Sequence, residues 1–294
     1  MSRNVTFAVT QFAASASATD NIARAETLVR QAAGAGGQVI VLQELFETPY
    51  FCKVERPGFF ELAAPYENNK LVARFSDLAR ELGVVLPLSF FERAGQAHFN
   101  SLAMIDADGS VMGLYRKSHI PDGPGYEEKY YFSPGDTGFK VWQTRFGRLG
   151  VGICWDQWFP EAARAMALMG AEALIYPTAI GSEPPAPGYD SQPHWETVMR
   201  GHAGANLMPV IAANRIGTED APEGRAITFY GSSFIAGWTG QLAGKASREK
   251  EEIVTATFDL DEAAHARRAW GLFRDRRPEL YGALATLDGS GSGG

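Results

Sequence analysis

Cysteine is scarce in this chain: Cys52 and Cys154 are the only two among 294 residues. Two are too few for a disulfide framework or a cysteine-rich metal site, so the question they raise is whether either thiol reacts. Long apolar runs are missing as well. No stretch approaches the roughly 18 residues that a membrane span needs. Met1-Ser2-Arg3-Asn4 leads straight into an alternating strand pattern, without the apolar segment of a signal peptide. The expectation is a cytoplasmic protein with no membrane partner. Basic character is lacking too: 27 Lys and Arg stand against 34 Asp and Glu, a formal net charge of −7. No basic stripe marks a nucleic-acid face, and the balance tilts towards neutral or cationic small molecules. What is there is an ordinary globular composition, 45% hydrophobic and 12% aromatic, in a length that suits two domains or one large α/β domain.

Apolar periodicity decides between them. Val5, Phe7 and Val9 alternate as in a half-buried strand, and Ile22, Ala25, Leu28, Val29 and Ala32 then fall at helical spacing behind Asp20 or Asn21 as the cap. The uniformly apolar run Val39-Ile40-Val41-Leu42 predicts a strand buried on both faces, stopping at Gln43-Glu44. A helix is predicted over 69–82 and a strand over 84–91. Strands over 99–105 and 111–116 form an antiparallel hairpin around Asp106-Ala107-Asp108-Gly109. After a loop rich in Gly and Pro over 121–138 the pattern restarts. Strands are predicted at 149–154, 173–176 and 209–213, helices at 160–169 and 195–206, and a closing antiparallel set at 232–236, 241–243 and 253–258. The reading is α/β, with two similar halves in one domain over 1–259. In residues 260–288, Arg267, Arg268, Arg274, Arg276 and Arg277 cluster with Trp270, Phe273 and Tyr281. This extension either lies on the surface or packs on a neighbouring subunit. Residues 289–294 are all Gly or Ser and are expected to be disordered.

Chemistry-bearing residues sit where three strands end. Glu44 follows the buried strand; it is either a solvated carboxylate at a strand terminus or, in apolar surroundings that raise its pKa, a usable base. Lys117 ends the run Val111-Met112-Gly113-Leu114-Tyr115-Arg116. Alone it reads as solvated; in a cleft beside a carboxylate and a thiol it would lower the cysteine pKa and hold a tetrahedral oxyanion. Cys154 follows Gly150-Val151-Gly152-Ile153, where small residues let the backbone bend and backbone N–H groups can stabilise a thiolate. A buried, inert thiol is the competing reading. Cys52 lacks that glycine-rich setting and reads as a packing thiol near the Glu44 loop.

The blocks Gln43-Glu44-Leu45-Phe46, Tyr115-Arg116-Lys117-Ser118-His119-Ile120-Pro121 and Gly150-Val151-Gly152-Ile153-Cys154-Trp155-Asp156-Gln157-Trp158-Phe159-Pro160-Glu161 resemble, in order and spacing, those of the nitrilase superfamily of carbon-nitrogen hydrolases. The resemblance implies a four-layer α-β-β-α sandwich, Glu44 as general base, Lys117 as stabiliser of the tetrahedral intermediate and Cys154 as nucleophile. It also implies a homo-oligomer, and the mechanism that follows needs no metal or organic cofactor. A fourth family position, a glutamate before an aromatic-rich Pro-Gly turn, falls on the doublet Glu127-Glu128; counting back from Pro134-Gly135 favours Glu128.

Within the superfamily the stretches at 117–132, 176–184 and 194–206 are most similar to the branch that hydrolyses N-carbamoylputrescine to putrescine, carbon dioxide and ammonia. The partner this implies is a small ureido substrate with a distal amine. Trp155, Asp156, Gln157 and Trp158 stand where carbamoyl-amino-acid enzymes commonly carry an arginine for the substrate carboxylate. A terminal ammonium would want acids and aromatic walls instead. Glu183 is the first candidate for the charge, with Asp190 and Asp122 behind it. Trp155, Trp158, Phe132 and Trp195 are candidate walls. His119 and His194 read as hydrogen-bonding support. Two other readings stay open: a hydrolase of another ureido compound or an ω-amide, and a non-catalytic assembly subunit.

Overall fold

The computed structural model describes residues 2–221 and 226–290. The first half of the chain supplies β1 (Asn4–Gln11), α1 (Ala18–Gly34), β2 (Val39–Val41), α2 (Lys70–Leu82), and the meander β3 (Leu86–Ala94), β4 (Ala97–Ile105) and β5 (Val111–Arg116). A short helix α3 (Glu128–Tyr131) precedes β6 (Lys140–Thr144), β7 (Gly147–Val151), α4 (Pro160–Leu168), β8 (Ala173–Pro177), α5 (Gln192–Asn206) and β9 (Val210–Ala213). The hairpin β10 (Ile216–Glu219) and β11 (Ile227–Tyr230) follows, then β12 (Phe234–Ala236), β13 (Leu242–Lys245), β14 (Glu252–Asp259) and α6 (Leu260–Trp270).

Period-2 alternation sorts the strand residues between two faces. One layer is β14-β1-β2, joined through the parallel bridge Val39–Val85 to β3-β4-β5; the other is the six-stranded sheet β13-β12-β9-β8-β7-β6. Val5, Phe7 and Val9 of β1 meet Leu149 and Val151 of β7, Ile175 of β8 and Ile211 of β9 between the sheets. The alternate residues Ala8, Ile40, Leu86 and Leu88 turn outward to Leu28 and Val29 of α1 and Phe75 and Leu78 of α2. On the far side, Leu174, Tyr176, Val210 and Ala212 pack on Met166 of α4 and Trp195 and Met199 of α5. Each fully buried Leu, Ile or Phe contributes ~1.5–3 kcal/mol, and the result is a four-layer α-β-β-α sandwich.

Local signals place most of the ends. Asn69 caps α2, its Oδ1 accepting from the N–H groups of Leu71 and Val72, and Gly83 ends the helix at φ +67°. Helix α1 begins earlier than the spacing predicts: Ser17 is the cap, and Asn21 is instead buried with its amide on Ser15 O and Glu47 O. The largest departure is β14. It does not close the set with β12 and β13 but crosses to the other sheet, pairing antiparallel with β1 from Asn4–Asp259 to Gln11–Glu252. Strand propensity is local, whereas the partner is fixed by which sheet edge the chain can reach. The hairpin β10–β11 and edge strand β6 have no counterpart in the sequence reading. The predicted disordered tail lies partly outside the described residues, at 291–294. Among the described residues no helix is long and apolar enough to cross a membrane.

Candidate active site

Glu44 lies three residues past the end of β2 and is fully buried. Its Oε1 accepts from Asn100 Nδ2 at 2.6 Å and from Lys117 Nζ at 2.9 Å. Among the described residues its Oε2 has no partner, which leaves one lone-pair face of a buried carboxylate free to take a proton. Lys117 directly follows β5, its N–H bonded to Asn100 O, and Nζ also donates to Glu128 Oε2 at 2.6 Å. Burial alone would lower the Lys117 pKa, but Glu128 and Glu44 overcome it and the net direction is up, so the ammonium stays charged. Glu128 opens α3, and its other oxygen accepts from Tyr50 OH at 2.7 Å. Burial, opposed by Lys117 and helped by the charge of Glu44, pushes its carboxyl up to about 7.

Cys154 is not the end of a strand. β7 stops at Val151, and Cys154 opens a 3₁₀ turn, Cys154–Trp158, at φ +41°, a left-handed conformation unusual for a residue with a side chain. Gly152 permits the close approach, since a Cβ there would stand 2.9 Å from the Tyr176 ring and 3.0 Å from Asp156 Cβ. Asp156, fully buried, holds the turn: its Oδ2 accepts from Ile153 N at 2.9 Å and Tyr115 OH at 2.7 Å. Its Oδ1 accepts from His119 N at 2.9 Å, with His119 Nδ1 at 2.7 Å. Tyr115 and His119 flank Lys117 by two residues on either side, so one carboxylate ties the turn that carries Cys154 to the lysine segment. Burial, then the charge of Glu44, drives the Cys154 pKa well above the ordinary thiol value, with Lys117 opposing. The lysine pulls the way the sequence suggested, but desolvation wins. Cys154 rests as a thiol, so it could act as a thiolate only if a base took its proton.

Cys154 and Glu128 line a cavity of about 350 Å³ together with Asp122, Tyr126, Trp155, Trp158 and Glu183. Both named acids and both tryptophans therefore face the same space as the thiol. His194 is exposed on α5 and packs edge-on against Trp158 with ring centroids 4.9 Å apart, without lining the cavity. Trp195 and Phe132 belong to the core instead: Trp195 packs on Phe234 and donates to Gln157 Oε1, and Phe132 packs edge-on against Phe91. Asp190 is exposed and paired with Arg248. Cys52 is buried in an aromatic cluster with Phe51, Phe91 and Tyr131, and burial pushes its thiol up. Among the described residues no group of three His, Cys, Asp or Glu is placed to hold a metal ion.

Sequence reasoning missed Asn100, Tyr50, Tyr126 and Arg215. Asn100 carried a readable signal, an amide inside an apolar strand, since a buried amide must find partners. The others become visible only when distant segments meet.

The comparisons with known proteins agree with this geometry. The family described as carbon-nitrogen hydrolase matches residues 6–268. An N-carbamoylputrescine amidase of Arabidopsis thaliana is 58% identical over 98% of this chain and 97% of its own, and a citrullinase of Francisella tularensis is 55% identical over 95% and 97%. The crystal structure of a carbon-nitrogen hydrolase from Helicobacter pylori superposes with a TM-score of 0.91 at 45% identity, covering 97% of this chain and 99% of that one. The chain belongs to the carbon-nitrogen hydrolase family of the nitrilase superfamily.

Proposed function

We propose that this protein hydrolyses the ureido C–N linkage of N-carbamoylputrescine, giving putrescine, carbon dioxide and ammonia, with Cys154 as nucleophile. The observation that carries the reading is one cavity lined together by the buried thiol of Cys154, by Glu128 and by the acids Glu183 and Asp122. Glu44, through its free Oε2, takes the Cys154 proton as sulfur attacks the carbonyl carbon. Lys117 and the Trp155 N–H hold the oxyanion. Glu44 returns the proton to the departing nitrogen and then activates a water that releases the acyl group from sulfur; the freed carbamate loses carbon dioxide. Glu128 and Tyr50 hold Lys117 in place throughout. At the far end, Glu183 and Asp122 supply negative charge and Trp155 and Trp158 supply aromatic faces for an alkylammonium. Among the described residues lining the cavity there is no arginine or lysine to pair with a substrate that ends in a carboxylate alone. The citrullinase relative supports a second reading, a ureido amino acid whose ammonium meets the same acids. Residues 260–288 we assign to contact with a second copy of the chain.

Comparing kcat/KM for N-carbamoylputrescine, citrulline, a carbamoyl amino acid without a free amine, and a linear ω-amide separates these readings. The first is expected to lead by about tenfold or more, because burying the wrong end group leaves charges unpaired. A lead by the carboxylate-only compound would reject the assignment. Cys154→Ala is expected to abolish ammonia release with the fold intact.

A further inference from the structure

Arg215 lies between β9 and β10, fully buried, and lines no part of the cavity that holds Cys154. Its guanidinium is aimed at backbone. Nη2 donates to the carbonyl oxygens of Glu44 at 2.7 Å and Leu45 at 3.0 Å; Nη1 donates to Thr48 O at 3.3 Å and to Glu219 Oε1 at 2.9 Å. Leu45, held this way, sits at φ +48°, in the left-handed region that a leucine seldom adopts. The second oxygen of Glu219 accepts from Tyr50 N and Lys53 Nζ, both at 2.7 Å. Burial works to raise the Glu219 carboxyl, and Arg215 with Lys53 overcomes it, so the group stays ionised.

One ion pair therefore grips two pieces of chain. The first carries Glu44; the second carries Tyr50, whose hydroxyl holds Glu128. Glu44 and Glu128 are the two carboxylates that bind Lys117. We propose that Arg215, through Glu219, is a positioning residue for both of them, setting the base and the lysine in register from one shell further out. A planar fork with separated N–H groups reaches both carbonyls and the carboxylate at once, which a lysine ammonium on a single stem does not. The proposal rests on the cysteine hydrolase reading above.

The test uses the full-length protein and two readouts: steady-state turnover of N-carbamoylputrescine, and the substrate-free rate of Cys154 alkylation by iodoacetamide, read by peptide mass spectrometry. Arg215→Met takes one of two cations from the buried Glu219 carboxylate and leaves the carbonyls of Glu44 and Leu45 without their donor, and is expected to destabilise strongly. Arg215→Met combined with Glu219→Gln removes both charges, and Lys53, which lines a separate surface cavity, can turn to solvent. The paired variant is expected to regain most of the lost Tm, yet keep kcat about tenfold or more below wild type with KM within about threefold, and to alkylate Cys154 more slowly. Recovery of kcat and alkylation along with Tm would overturn the proposal, because a merely structural residue behaves that way. Arg215→Lys gives the same readouts if the paired variant does not fold; kcat within about twofold of wild type there, or failure of both variants to fold, would also overturn it. A wild type that releases no ammonia, or Cys154→Ala that still does, would remove the hydrolase reading instead, and the alkylation comparison would still decide the role of Arg215.

Discussion

Glu44, Glu128, Asp156 and Glu219 are all buried, and each is met by several donors. Glu47 is different. Burial alone raises its pKa, to about 7. A carboxyl that binds its proton more tightly when folded stabilises the fold fully below the unfolded value near 4.5 and loses that contribution as pH climbs through about 7. Glu47→Gln, which cannot ionise, is therefore expected to lose less stability than wild type between pH 5 and pH 8, by up to ~3 kcal/mol. Thermal denaturation at both pH values checks this, and equal losses in the two proteins would reject it. Glu183 is tested by its partner rather than its pKa. Glu183→Gln is expected to raise KM for N-carbamoylputrescine about tenfold with kcat within about threefold, and to leave turnover of N-butylurea, which lacks the amine, nearly unchanged. An equal loss on both compounds would place Glu183 outside amine recognition.

At the level of elements, the segment carrying Lys117 is held by close backbone packing. A Cβ at Gly135 would stand 2.1 Å from Arg116 O and 2.8 Å from Lys117 O, and neither is the end of a flexible side chain. Gly135→Ala is expected to destabilise the protein by about 1–3 kcal/mol and to lower kcat, because the strand exit bearing the ammonium must shift. A variant with unchanged Tm and kcat would show that the segment gives way freely. The Pro134-Gly135 turn was legible as a turn, but its contact with the lysine backbone was not. In the same way the buried character of β2 and the cap and stop of α2 could be read locally, whereas the pairing of β14 with β1 joins residues about 250 positions apart and left no local trace.

For the whole molecule, Trp270, Leu280 and Leu284 expose more than half of their surface in the stretch after β14, while Phe273 reaches back to the α4–α5 layer under Arg164 and Arg267. Large apolar side chains left in water at one end of the chain fit contact with a second copy. Light scattering is expected to give a mass that is a multiple of 31.9 kDa, and Leu280→Glu with Leu284→Glu to reduce it; a wild-type monomer would end the assignment. The sequence by itself determined the α/β class, through periods of two and near 3.6, while the resemblance of its local blocks implied the layers and singled out Glu44, Lys117, Glu128 and Cys154. Only the tertiary structure decided that Trp195 and Phe132 are core, that Asn100, Asp156 and Arg215 brace the site, and that the thiol rests protonated. Burial, hydrogen-bond partners and local electric field are sums over segments that the chain order keeps apart, and they take definite values only once those segments pack.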